Sequence, residues 1–376
     1  MRELLEQFDS IAQNPKEQYE ALLSQGKKVV GCMTYFCPEE LVLSVGMVPF
    51  GMWGGDIEAN EAKSWFPAFI CSILQTTLEL GIKGAYSGMT AVIIPKLCDS
   101  LKCMQPNWEL AVPDIPVISL PHAQNSKLDA GIDFTASQYR KILGELTAFG
   151  GKSPSNEDIF DALKLINRRR QALRMFIALA AKHPDVVSAH SRSNVMKSSY
   201  FMEAQPYTAM LEKLNSALAQ LPPSDWQGIR VITSGILADA PALLEILDEN
   251  NISIVADQIL HESVSFRHDA DETGDPFQSL ARLLATVEGT SVFHDPGKKR
   301  AYELLSLAKE TSADGVLFVL TKFCDPEEYD YVPLKNLLEQ SGVPCLAVEL
   351  DRQTPGLAQA RTAIEAFAQV LKSTKE

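Results

Sequence analysis

Short apolar runs alternate with longer amphipathic stretches at both ends of this 376-residue chain. Runs rich in β-branched residues, bounded by turn residues and followed by a helical period, predict parallel strands joined by helices. In the first part of the chain the predicted strands fall at 27–31, 48–53, 92–98 and 115–120. In the last part they fall at 229–233, 252–255, 291–294, within 315–330, and at 343–350.

The middle of the chain has a different pattern. From 133 to 225 apolar residues recur with the helical period, and no strand pattern interrupts them. Ser155 and Asp158 have the spacing of a helix-capping pair, which predicts a helix start there. The fold class is therefore predicted as α/β, with two similar doubly wound parallel-sheet (Rossmann-like) domains at 1–130 and 226–376 and a helical segment at 131–225.

Two of the predicted strands end in the same way. VIIPKLCDS (92–100) and GVLFVLTKFCDPEEYD (315–330) both finish an apolar run with lysine, an apolar residue, cysteine and aspartate. Each is followed by an apolar residue, a proline and a further strand, at 115 and at 343, which indicates an internal repeat. Parallel sheets bind ligands at the carboxyl ends of their strands, so Cys98 and Cys324 predict a metal site between two related domains.

Composition excludes some classes of protein. The hydrophobic content of 46% and charged content of 22% are ordinary for a globular chain. A net charge of −14 argues against a nucleic-acid-binding protein, which would carry a basic stripe. The sequence has no apolar stretch long enough to span a membrane, and its amphipathic N-terminus lacks the apolar centre of a signal peptide. We expect a cytoplasmic protein with no membrane or nucleic-acid partner.

Seven cysteines, an odd number, suit metal binding or reactivity better than disulfides in such a compartment. There is no C-x2-C pair, which excludes zinc-ribbon and bacterial-ferredoxin spacings. Cys345 lies inside a predicted strand and is explained as a small buried apolar residue. Cys71 lies near the start of a helix predicted at 66–80, where the helix dipole favours a thiolate.

Other motifs indicate little. The segment 150–153 resembles the end of a phosphate loop, but Leu146 stands where the first glycine is required, and there is no G-x-G-x-x-G. Among the six histidines, His122 alone follows a predicted strand closely enough to belong to a site. The basic run 168–170 is interpreted as a solvated helix face, with a CoA phosphate or a partner protein as the alternative contact.

Five segments, taken together and in order, resemble a known family. They are GCMTYFCPEELVLSVGMVP, FPAFICSI, VIIPKLCDSLKC, TSGILADAP and FVLTKFCDPEEYDY. The family is that of the β subunits of the (R)-2-hydroxyacyl-CoA dehydratases, which also includes 2-hydroxyglutaryl-CoA dehydratase and the benzoyl-CoA reductase subunits. The resemblance covers essentially the whole chain and is strongest to the 2-hydroxyisocaproyl-CoA dehydratases.

The resemblance implies a heterodimer with a homologous α subunit, each chain holding one [4Fe-4S] cluster through three cysteines. A separate ATP-dependent iron–sulfur activator supplies one electron. An acyl-CoA substrate at the subunit interface then loses water by syn-elimination, through a ketyl radical, to give an (E)-2-enoyl-CoA. Mainly the α-subunit cluster would bind the substrate, so this chain would act as an electron relay and a wall of the site.

The resemblance also proposes cluster ligands. Cys324 and Cys71 are the first two. Cys98 is preferred as the third because it occupies the position in the repeat equivalent to Cys324, and Cys32, which ends the first strand, is kept in reserve. Cys37 and Cys103 are interpreted as supporting residues.

Three alternatives to a dehydratase subunit stay open from sequence. One is a subunit of a benzoyl-CoA-type reductase, and a second is a non-catalytic iron–sulfur electron-transfer protein. The third is a zinc-binding or metal-free α/β protein with structural cysteines.

Overall fold

The structure is a computed structural model that describes residues 1–353 and 357–374. Its strands are β1 Val29–Met33, β2 Val48–Met52, β3 Ala91–Pro95, β4 Val117–Leu120, β5 Ile229–Gly235, β6 Ile252–Ile259, β7 Gly315–Thr321 and β8 Cys345–Leu350. Its helices are α1 Arg2–Gln13, α2 Pro15–Ser24, α3 Glu39–Ser44, α4 Ser72–Ile82, α5 Asp99–Ala111, α6 Asp129–Ala148, α7 Asn156–Ala180, α8 Ala189–Ser198, α9 Ala204–Leu218, α10 Pro241–Glu249, α11 Pro276–Ala285, α12 Lys299–Glu310, α13 Asp325–Gln340 and α14 Ala358–Ser373.

The strands form two four-stranded sheets with the same topology. Their orders are β2-β1-β3-β4 and β6-β5-β7-β8, and every pairing is parallel. β1 and β3 are buried along their whole length, as expected for strands covered by helices on both faces. The prediction of an α/β fold with two Rossmann-like sheets is therefore confirmed. β3 and β7 occupy the same place in their sheets, so the repeated Lys–apolar–Cys–Asp pattern follows equivalent strands.

Helices α6 to α9 fill the stretch between the two sheets. α7 begins with a complete capping box: the Ser155 hydroxyl accepts from the Asp158 N–H, and the Asp158 carboxylate accepts from the Ser155 N–H. The apolar faces of α7, α8 and α9 share a core that also takes Leu5 and Phe8 of α1. The N-terminal helix thus packs on the helical segment, and the domain boundaries at 130 and 225 stay a prediction.

The predicted strand at 291–294 is wrong. This stretch forms a turn. Its side chains make tertiary contacts instead: the Ser291 hydroxyl donates to the Glu327 carboxylate at 2.5 Å, and the Phe293 ring lies 5.1 Å from the Phe36 ring. These contacts hold the segment beside Glu327 and Phe36, and it pairs with neither edge strand of the second sheet, β6 or β8.

The basic run 168–170 is not the solvated face that the sequence suggested. Arg168 is exposed and pairs with Glu212. Arg169 and Arg170 are buried, and their guanidinium groups lie 2.6 and 2.5 Å from the carboxylates of Glu39 and Glu40. Consecutive residues of a helix point in different directions, so three adjacent arginines cannot share one face. The two buried pairs fasten α7 to the short helix α3.

Over residues 1–353 and 357–374, no helix is both long enough and apolar enough to cross a lipid bilayer.

Candidate functional site

Three cysteines stand immediately before three helices. Cys71 is the N-cap residue of α4, Cys98 of α5 and Cys324 of α13. α5 follows β3 and α13 follows β7, so the two halves of the chain contribute equivalent positions. The helix predicted at 66–80 begins later than expected, at Ser72, so Cys71 precedes it as the N-cap residue. Each sulfur therefore faces the positive end of a helix.

The three thiols lie close to one another and to Tyr35. Burial raises the pKa of the Tyr35 hydroxyl well above its ordinary value, and charges on Cys98, Cys324 and Cys71 raise it further. The Tyr35 hydroxyl donates a hydrogen bond to the Cys98 sulfur, and this hydrogen bond lowers the pKa of the Cys98 thiol. Charges on Cys71 and Cys98 also raise the pKa of Cys324. Two sulfurs of the first half and one of the second thus meet around one tyrosine.

Burial raises the pKa of all three thiols. It is the largest cause in each case, raising the pKa of Cys71 to about 12, that of Cys98 above its ordinary value and that of Cys324 well above it. The N–H groups of Ile73 and Leu74 lower the pKa of Cys71, but burial outweighs them. These N–H groups act in the direction that the sequence predicts for the start of a helix, although the net pKa of the Cys71 thiol is raised. Metal coordination would deprotonate such thiols and release protons.

Cys32 has different neighbours. It is buried within β1, and the largest cause of its raised pKa is a hydrogen bond with Cys37, followed by burial. Glu39 and Arg169 are its other strong electrostatic partners. The structure therefore groups Cys71, Cys98 and Cys324, and it pairs Cys32 with Cys37 on a separate cavity wall.

The two remaining cysteines lie apart from that group. Cys103 is exposed on α5, and Cys345 is a half-buried residue at the start of β8.

The side chains available as ligands indicate what kind of metal ion or cluster the site could bind. Within the described ranges, 1–353 and 357–374, no three His, Cys, Asp or Glu side chains converge closely enough to hold a single metal ion. Three thiols gathered around a tyrosine at helix N-termini suit a larger group bound through soft ligands, as iron–sulfur clusters are. This arrangement does not fit a structural zinc ion, which needs four converging ligands.

A buried ion-pair network supports the Cys324 end of the site. Arg300, on α12, donates to both carboxylate oxygens of Glu327, at 2.9 and 3.0 Å. It also donates to the Ser234 hydroxyl at the end of β5. Glu327 lies in the first turn of α13, where after burial its carboxylate charge raises the pKa of Cys324 and its N–H lowers it by less. Arg300 thus fixes the turn that carries Cys324 against the second sheet.

Tyr35 and Arg300 were not found from sequence. Tyr35 lies in the matched segment GCMTYFC, between two cysteines, but nothing in a period or spacing distinguishes it from a core tyrosine. Arg300 lies on an ordinary amphipathic helix. His122, which sequence did single out, has both ring nitrogens buried without a partner among the described residues, and burial lowers its pKa to about 4. It is not one of the groups that act on the three thiols.

Comparison with known proteins identifies the family. Residues 34–371 match the family model described as 2-hydroxyglutaryl-CoA dehydratase, D-component. The chain belongs to this family. It is 42% identical to the (R)-phenyllactyl-CoA dehydratase β subunit of Clostridium sporogenes, over 97% of each chain. It is 38% identical to the (R)-2-hydroxyglutaryl-CoA dehydratase β subunit of Acidaminococcus fermentans, over 98% of this chain and 99% of the other.

A third relative is the lactoyl-CoA dehydratase β subunit of Anaerotignum propionicum, 33% identical over 98% of each chain. The predicted membership in the 2-hydroxyacyl-CoA dehydratase family, as a β-type subunit, is confirmed. The stronger resemblance to 2-hydroxyisocaproyl-CoA dehydratases stays a prediction.

Proposed function

We propose that this chain is the β subunit of an (R)-2-hydroxyacyl-CoA dehydratase. Together with a homologous α subunit it would remove water from a 2-hydroxyacyl-CoA and form an (E)-2-enoyl-CoA. The observation that carries the proposal is the grouping of Cys71, Cys98 and Cys324, from both halves of the chain, in a family of dehydratase subunits.

Those three cysteines would hold a [4Fe-4S] cluster. The cluster would supply one-electron transfer when bound. Three soft thiolates suit iron–sulfur binding, and three helix N-termini would stabilise the negative charge of such a group. Cys32 remains the reserve ligand, but its electrostatic neighbours are Cys37, Glu39 and Arg169, not the three grouped thiols, which favours Cys98 as the third.

The chain's own residues prepare this site in three ways. Packing against the core around Tyr35 leaves the three cysteines only partly exposed to water. The Tyr35 hydroxyl donates a hydrogen bond to the Cys98 sulfur. Arg300 holds the first turn of α13 and with it Cys324. Such surrounding hydrogen bonds and exclusion of solvent set the properties of a bound cluster.

The proposed chemistry explains why an electron is needed. The 2-hydroxyl is a poor leaving group, and the proton on carbon 3 is barely acidic. An ATP-dependent iron–sulfur activator would supply one electron, and the thioester would react as a ketyl radical that expels hydroxide from carbon 2. A proton then leaves carbon 3 and the electron is recovered, so the net change is loss of one water. An activator that uses ATP implies the cytoplasm as the compartment.

Iron and sulfide analysis of anaerobically purified protein tests the cluster. We expect Cys71→Ser, Cys98→Ser and Cys324→Ser each to lose iron, with Cys32→Ser and the exposed Cys103→Ser as matched controls that retain it. Loss of iron in Cys32→Ser with retention in Cys98→Ser would replace the third ligand. A colourless, iron-free wild-type chain would overturn the cluster and favour the zinc-binding or metal-free alternative.

A second experiment separates an enzyme from an electron carrier. The chain is co-expressed with its α subunit and activator, and ATP-dependent formation of enoyl-CoA is measured. Reduction of benzoyl-CoA in place of dehydration would favour a reductase. A cluster-bearing complex that catalyses neither reaction would leave the electron-transfer alternative.

A further inference from the structure

A cavity of about 110 Å³ lies beside the three-thiol site but is distinct from it. It is enclosed by the loop after β1, the helix α7, the segment after β6 and the end of α11. Its volume is several times the roughly 10–15 Å³ that one water requires. Tyr35 and Phe36 line it, and Tyr35 also reaches Cys98, so a single side chain separates the cavity from the thiols.

Two buried polar side chains in the wall lack partners. Thr34 is 6% exposed and His261 is 2% exposed, and the structure shows no hydrogen bond to the Thr34 hydroxyl or to either ring nitrogen of His261 within the described ranges. A buried polar group left without a partner costs about 1–3 kcal/mol. The His261 ring is also fixed, since it stacks on Tyr200 at 4.5 Å and meets the edge of Trp53 at 4.6 Å. The cavity therefore calls for an occupant that forms hydrogen bonds.

The backbone beside these groups is strained. Thr34 and Phe36 both have a φ of 61°, in the left-handed region that side chains with a Cβ rarely adopt. A β-branched residue such as threonine is especially unfavourable there. Strain of this kind costs of order 1–3 kcal/mol and is typical of ligand-binding sites.

Charge indicates what kind of occupant fits. The arginines of the wall each have a carboxylate partner: Arg169 has Glu39, Arg170 has Glu40, and Arg267 has Glu303, 3.6 Å away and outside the wall. Burial lowers the pKa of His261 to about 3, so its ring is neutral near pH 7. Much of the remaining wall is aliphatic or aromatic, including Leu173, Val264, Phe266, Leu280, Leu283 and Leu284. A neutral molecule with an apolar body and a hydroxyl or carbonyl group matches this lining.

We propose that the cavity binds the neutral acyl end of a 2-hydroxyacyl thioester, with Thr34 and His261 hydrogen-bonded to its hydroxyl and carbonyl oxygens. The apolar chain then packs against Phe36 and Leu283. The thioester identity rests on the proposed function, whereas the need for a neutral hydrogen-bonding ligand rests on the cavity alone. The β subunit would on this basis hold an acyl group itself, one tyrosine away from its thiols.

Trp53 provides the measurement, because it touches the His261 ring. The complete complex with the α subunit is titrated anaerobically, without activator, with the N-acetylcysteamine thioester of a 2-hydroxy acid, and tryptophan fluorescence is followed. We expect a saturable change that disappears in Trp53→Phe and persists in Trp226→Phe, a matched control far from the cavity. His261→Phe, which keeps the ring shape, and Leu283→Trp, which fills the cavity, should each weaken binding about tenfold.

The alternative results test the cavity, the thioester identity and the proposed function separately. The proposal would be overturned if thioester affinity is unchanged in both His261→Phe and Leu283→Trp and the fluorescence of Trp53 does not respond to the thioester. That result would leave the proposed function intact. Equal affinity for the matching hydroxyamide, which lacks the thioester, would overturn the thioester identity. Failure of the proposed function is seen separately, as absence of ATP-dependent dehydration in the co-expression assay. Circular dichroism of each variant shows whether it is folded, and Thr34→Ser, which keeps the hydroxyl, should retain wild-type affinity.

Discussion

Arg300 allows the role of the buried ion pair behind Cys324 to be measured. The residue is 2% exposed, and its guanidinium donates to both oxygens of Glu327, which is also 2% exposed. Replacing Arg300 by methionine keeps most of the apolar part of the side chain. The Glu327 carboxylate then stays buried without its ion-pair partner and keeps the hydrogen bond from the Ser291 hydroxyl. Asp330 keeps Lys298 at 2.6 Å, so one carboxylate in the network loses its ion-pair partner.

Breaking one side of a buried ion pair costs about 3–5 kcal/mol, because a charge is left without compensation in a poorly polar environment. We therefore expect Arg300→Met to lower the free energy of unfolding by about that amount. Removing both charges is much less costly, so the double variant Arg300→Met, Glu327→Gln should recover most of the loss. Because Glu327 lies in the turn that carries Cys324, the single variant should also lower iron content and the double variant should restore it.

The assay is urea unfolding of the iron-free chain under reducing, anaerobic conditions, followed by circular dichroism, with Glu327→Gln as the fourth corner of the cycle. Iron content is measured in parallel on protein purified with its cluster. A loss below about 1 kcal/mol in Arg300→Met, or a double variant as unstable as the single one, would refute the argument that the cost comes from the uncompensated carboxylate.

Three further outcomes are expected. Tyr35→Phe should keep its iron but lower the reduction potential in an EPR-monitored titration, since hydrogen bonds to cluster sulfurs raise it; an unchanged potential would remove Tyr35 from the site. His261 takes up a proton near pH 6.5 when unfolded and near pH 3 when folded, so stability falls as pH decreases through this window. Between pH 7 and 5 the wild type should lose about 2 kcal/mol more than His261→Phe in urea unfolding, and an equal loss would contradict neutral burial. Ser155→Ala should lower stability by about 1 kcal/mol by removing the cap of α7, with Ser137→Ala on α6 as a neutral control.

Local pattern was sufficient for most of the fold. Parallel strands covered on both faces read as continuous apolar runs, and the eight strands of the structure lie where such runs occur. The repeated Lys–apolar–Cys–Asp ending predicted two equivalent strands, and the Ser155–Asp158 spacing predicted the start of a helix. Each of these patterns depends on residues only a few positions apart. The ninth run, at 291–294, is not a strand because its side chains contact Glu327 and Phe36, and a local pattern cannot show such distant contacts.

The candidate site depended on contacts between distant parts of the chain. Cys71, Cys98 and Cys324 lie on separate elements and meet at Tyr35 only in the packed chain, and Cys32 lies beside Cys37 for the same reason. The N–H groups at the start of α4 lower the pKa of Cys71, as the sequence predicts, but burial raises it by more, and burial depends on the packed chain. Sequence by itself determined the elements, the repeat and the family resemblance. The tertiary structure decided which thiols share a site, because distance and solvent exposure are properties of the packed chain.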